Sequence, residues 1–201
     1  MSRLIRVYSD LAVILFVTWW VWFGVEMPKS PSNDMLAQMY LSNILVVPNI
    51  LGLLATFFYL LFVMNVLIAA PRKDGLFMST QVVFIAGISM YIAIQFSETF
   101  LWPLLARTQP ALLFLDGPIL GTEAHFFPVL VLAGLLISAG VLLFSRLLSR
   151  QFHQPMGITM AYALAFIVFG VGMHPYVRTV GFVVWVPLQV ILVRRIQWNF
   201  R

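Results

Sequence analysis

Six long apolar runs, separated by short clusters of charge, proline and glycine, set the pattern of this chain. They lie over 5–25, 44–70, 76–102, 128–148, 156–173 and 179–193. A hydrocarbon core of about 30 Å is crossed by roughly 20 apolar residues rising 1.5 Å each, so each run predicts a transmembrane helix. The run over 44–70 contains no charged residue, and Pro71, Arg72, Lys73, Asp74 and Gly75 then stop it and turn the chain. The first run contains Trp19, Trp20 and Trp22 and is followed by no small-residue cleavage site. It is expected to stay as a helix rather than leave as a signal peptide.

Two stretches depart from this rhythm. Over 26–43, Pro28 and Pro31 oppose helix, while Ser32, Asn33 and Asp34 offer an N-cap to a short surface helix carrying Met35, Leu36 and Met39 on one side. Over 103–127, Pro103, Pro110 and Pro118 interrupt a polar segment. That segment is expected to lie at the interface or re-enter rather than span. Small residues four apart, at Ser89 and Ala93, Gly134 and Ser138, and Ala161 and Ala165, mark faces where a neighbouring helix can come close.

Composition sharpens the class. At 62% hydrophobic and 9% charged, the 201 residues hold more apolar surface than one soluble core could bury. The expectation is a single all-α domain over 1–201, a polytopic bundle of six transmembrane helices. A net charge of +5 does not make it a nucleic-acid binder, because the basic residues sit in pairs between apolar runs instead of on one solvated face. They set topology instead. Nine of them (Arg3, Arg6, Arg72, Lys73, Arg146, Arg150, Arg194, Arg195 and Arg201) fall on one side of the threaded chain, against Lys29, Arg107 and Arg178 on the other. Both termini are therefore expected in the cytoplasm, with the inner membrane of a bacterium as location and the lipid bilayer as first partner. The absence of cysteine excludes disulfides, thiolate metal sites and cysteine nucleophiles.

Most of the polar chemistry is gathered over 91–125. Tyr91, Gln95, Glu98 and Trp102 recur at i, i+4, i+7 and i+11, which puts a phenol, an amide, a carboxyl and an indole on one helical stripe. An ionisable group at membrane depth is costly and points to a site, so Glu98 is the candidate functional carboxylate. Asp116, Glu123 and His125 crowd the entry to the fourth run, and His174 precedes the sixth. These four lack a helical metal-ligand spacing such as H-E-x-x-H, and no metal is assigned. Arg107 and Arg178 can pair with Glu98, Asp116 or Glu123, hold the phosphate or carboxylate of an amphipathic ligand, or snorkel to headgroups. Asn65, inside the second run, suggests an interhelical hydrogen bond. No lysine lies within a helix to carry retinal and no pair of mid-membrane histidines could hold haem, so no cofactor is expected.

Three functions compete. The first is binding or transfer of a small lipophilic or amphipathic molecule in an outer-side polar pocket. The second is a structural or accessory subunit of a larger membrane complex or homo-oligomer, which the small-residue faces favour. The third is an intramembrane acid/base enzyme of isomerase or cyclase type, with Glu98 as acid or base and Asp116, Glu123 or His125 as its partner. Polar groups converging beside apolar walls put the first ahead.

Overall fold

The computed structural model describes residues 2–26, 38–42, 44–113, 117, 119, 126–171 and 175–198. Among these residues there is no strand, the short stretch 38–41 is helical with Met39 and Tyr40 buried, and seven longer α-helices are present: α1 Ser2–Glu26, α2 Val46–Ala69, α3 Gly75–Phe96, α4 Trp102–Thr108, α5 Phe126–Gln151, α6 Met156–Val171 and α7 Pro175–Trp198. A π turn, Ser97–Leu101, joins α3 to α4, and a 3-10 turn, Pro110–Leu113, follows α4.

Five segments are long and apolar enough to cross a membrane: Arg3–Trp22, Val46–Ala69, Gly75–Thr108, Pro128–Gln151 and Tyr176–Ile196. At most 44% of any of these windows is buried inside the protein, and Ile14, Val21, Val82, Leu135 and Val180 stand at least 60% exposed. Apolar surface on that scale suits lipid rather than water. The remaining apolar run is helical but short, since the 16 residues of α6 rise only about 24 Å. It is not among the five.

The helix ends follow from local chemistry. Asp74 Oδ1 accepts the Phe77 N–H at 2.9 Å and so caps the start of α3. Lys73 Nζ donates to Leu67 O at 2.8 Å and Ile68 O at 3.2 Å, placing a cation on the carbonyls of the last turn of α2. Beyond α5, His153 takes a left-handed φ of 52° and turns the chain toward α6.

The chain divides into two compact units. The first comprises Met1–Leu11, Phe58–Ile88 and Ala133–Arg201, and the second Ala12–Phe57 and Ser89–Leu132. The core of the first is aromatic, with Tyr59, Phe62, Phe84, Phe144, Tyr162 and Trp185 all buried. Tyr59 stacks on Phe166 at 4.8 Å between ring centres, and its hydroxyl shares a hydrogen bond with that of Tyr162. Close helix approaches in this unit fall on glycines. A Cβ added to Gly87 would lie 2.6 Å from Ile137 N, and one on Gly140 would lie 2.8 Å from Phe84 Cα.

The small-residue faces expected from spacing are thereby corrected. Ser89 and Ala93 lie on an exposed face of α3, whereas Ala165 does take part, its carbonyl 2.9 Å from where a Gly181 Cβ would be. Asn65 is corrected too. Its Nδ2 donates to Leu61 O at 2.8 Å, one turn back on its own helix. In the second unit Met39, Tyr40, Leu45, Trp102, Ala106 and Leu113 form a buried cluster, with Tyr40 set edge-on to Trp102 at 5.6 Å.

Candidate functional site

A proline inside a helix removes one N–H and crowds the carbonyl one turn back. The chain meets Pro103 by widening. Over Ser97–Leu101 the helix takes π register, and the Trp102 N–H reaches Ser97 O, five residues behind it. The same register would pair residue 103 with Glu98 O, and proline has no N–H to offer. Asn49 Nδ2, from α2, donates to Glu98 O at 3.4 Å instead. Pro103 then occupies the first turn of α4, where the missing N–H costs little. The break expected after 102 is in fact a change of register within one continuous helical segment, Gly75–Thr108.

Polar side chains are buried around this turn. Asn49, Thr56, Gln95 and Thr99 are each no more than 7% exposed. Thr99 Oγ1 donates to Gln95 O at 2.6 Å. Thr56 Oγ1 lies 2.9 Å from the Gln95 side-chain amide and 2.8 Å from Gly52 O. A hydroxyl has one proton, which Thr56 shares between two acceptors, Gln95 Oε1 and Gly52 O. Gly52 leaves room for this packing. A Cβ there would meet Trp19 Nε1 at 3.0 Å and the Gln95 amide at 3.2 Å.

Tyr40 adds a second titratable group beside Glu98. Burial chiefly, and the Glu98 carboxylate next, push its phenol above the ordinary range, while a hydrogen bond with Asn49 works the other way. At physiological pH it is a neutral donor. The site therefore presents amides, hydroxyls and a phenol in apolar surroundings, with one carboxyl, that of Glu98, partly buried.

No protein family, curated protein or solved structure matches this chain.

Of the residues singled out from sequence, Gln95 and Trp102 are buried, Tyr91 and Glu98 are partly buried, and Arg107 is exposed in the last turn of α4. Arg178 belongs to the first unit, where its Nε donates to Phe169 O at 3.0 Å near the end of α6. Asp116, Glu123, His125 and His174 lie outside the described residues. The stripe itself is modified by the π turn. The wider turn puts Thr99, 2% exposed, on the buried face below Gln95, and offsets Glu98 toward its edge.

Sequence reasoning missed Tyr40, Asn49, Thr56 and Thr99 as site residues. Asn49 gave a signal, an amide beside Pro48 at the start of an apolar run, and Thr56 follows it at i+7. Tyr40 gave none, because its burial depends on Trp102, some sixty residues away in the chain.

Proposed function

We propose that this chain is a multi-pass protein of the bacterial inner membrane that binds or transfers a small lipophilic or amphipathic molecule at an outer-side site centred on Glu98. One observation carries the reading: a partly buried carboxyl stands in a π turn, beside a buried neutral phenol and a buried amide. Local departures from α geometry cost stability and recur at functional sites. A carboxylate flanked by Tyr40 and Trp102 suits a ligand with an apolar body and a hydrogen-bonding or cationic head. A structural-subunit role is the second reading, favoured by the way Thr56, Gln95 and Gly52 satisfy one another.

The deciding experiment compares the parent with Glu98→Gln and Glu98→Ala, each purified in nanodiscs and extracted for small molecules by mass spectrometry. A ligand held through Glu98 should co-purify with the parent and fall at least tenfold with Glu98→Ala. If both variants match the parent in bound molecules and in thermal stability, Glu98 merely solvates the interface and the structural role stands.

The threading proposed with this function has six spans and both termini in the cytoplasm, with the short α6 crossing as half of a hairpin with α7. Nine basic residues against three support it. Single cysteines at Ser2 and Ser149 should resist a membrane-impermeant thiol reagent in intact cells, whereas those at Ser30, Thr122 and Gly172 should label. Labelling at both Ser149 and Gly172, or at neither, would remove α6 from the spanning set.

A further inference from the structure

The first unit contains a cleft that the proposed function leaves unused. It has a volume of about 380 Å³ and is lined by Pro71, Arg72, Asp74, Arg150, Gln151 and His153. We infer that this cleft binds the phosphate group of a phosphate ester, through the guanidinium groups of Arg72 and Arg150.

The two arginines come from separate turns, Arg72 between α2 and α3 and Arg150 in the last turn of α5. Gln151 holds those turns together. It is buried, its Oε1 accepts the Arg72 N–H at 3.1 Å, and its Nε2 donates to Asp74 Oδ1 at 3.3 Å. The cleft is thus built on fixed backbone rather than on two loose side chains.

Its charges are sorted as well. Asp74 is a lining carboxylate and would repel an anion, but the same oxygen already accepts the Phe77 N–H at the start of α3, where helix polarity favours negative charge. Lys73, the second cation of the turn after α2, points away to Leu67 O and Ile68 O and lies 4.2 Å over the Phe77 ring. Neither the Arg72 nor the Arg150 guanidinium has a hydrogen bond or ion pair among the described residues. Both are exposed. Two guanidinium charges less one carboxylate leave the lining at net +1, with the His153 imidazole beside them as a further polar group.

Guanidinium forks match phosphate oxygens in pairs, which an ammonium cannot do. The volume exceeds what inorganic phosphate needs and accommodates the ester's organic part. The cleft also sits where two candidate spans, Val46–Ala69 and Pro128–Gln151, end. Phospholipid phosphates lie at that depth if those helices cross the bilayer, and a soluble phosphate monoester can reach the same opening from water. The two sources share one chemistry.

The test uses full-length protein in detergent. Native mass spectrometry measures retention of phosphatidylglycerol, and calorimetry measures binding of glycerol 3-phosphate, for the parent, for R72Q/R150Q and for R194Q/R195Q. The last removes the same charge from α7, away from the cleft lining. The expected result is at least a tenfold loss of affinity for one probe in R72Q/R150Q, with R194Q/R195Q within twofold of the parent. Loss for phosphatidylglycerol alone assigns a lipid headgroup, and loss for glycerol 3-phosphate assigns a soluble ester. The inference is overturned if neither probe binds the parent, or if both double variants weaken binding equally. Thermal unfolding of each double variant separates misfolding from lost contacts, since R72Q/R150Q should melt with the parent, and parent-like affinity in R72Q/R150Q also overturns the inference.

Discussion

The Asn49 contact gives a prediction that can be worked through in energy. Replacing Asn49 by leucine removes the side-chain donor to Glu98 O, and a buried acceptor that loses its partner costs about 1–3 kcal/mol. The contact is long at 3.4 Å, which puts the expected loss near the lower limit, about 1 kcal/mol. Asn49 also bonds Tyr40, so the single variant measures two losses at once. Pro103→Ala separates them. Alanine restores an N–H at 103, which can serve Glu98 O in π register or let the turn return to α register. Asn49→Leu should therefore cost about 1 kcal/mol less in the Pro103→Ala background than in the parent. Equilibrium unfolding in mixed micelles, followed through the tryptophans, measures all four corners of the cycle. If the two substitutions add to within about 0.3 kcal/mol, Asn49 does not replace the proline's missing donor and the account of the π turn is wrong.

Other outcomes follow from the same contacts. Gly87→Ala should destabilise by about 1–3 kcal/mol, because backbone atoms of Leu136 and Ile137 stand 2.8 and 2.6 Å from the new Cβ and outweigh the gain in helix propensity. Gly157→Ala meets nothing within 4 Å and should be neutral or stabilising; equal losses at both positions would contradict the packing. The Tyr40 phenol is raised in the folded state, so its contribution is intact below the unfolded value of about 10 and fades as pH rises above it. The parent should accordingly lose stability more steeply than Tyr40→Phe between about pH 9 and 11, and parallel profiles would refute the burial of that hydroxyl. Gln95→Leu alone should cost about 1–3 kcal/mol, and less when Thr56→Val removes its partner as well.

What the sequence revealed depended on the range of the interaction. Run length and composition located the helices, and the five candidate spans coincide with five of the six apolar runs. Proline reading was weaker. Pro103 looked like a stop because its cost is local, whereas its remedy, Asn49, is distant in sequence. Small-residue spacing pointed to Ser89 and Ala93, yet the close approach is made by Gly87, since four-residue spacing cannot say which face meets a neighbour. Gln95 and Trp102 were legible as an inward stripe. Thr99 was not, because a 3.6-residue period assumes a regular helix up to its end.

The π turn has a consequence for chain length. Over Ser97–Leu101 the helix accommodates one residue beyond α register, and each residue of an α-helix accounts for about 100° of rotation. Deleting Ser97 would let the segment close into α geometry and swing everything after it by about that angle. Trp102, Ala106 and Leu105 would then leave the side on which Tyr40 packs, with every side chain of α4 chemically unchanged. The register of this segment works like a vernier, in which one increment of length selects the surface that α4 presents to Tyr40.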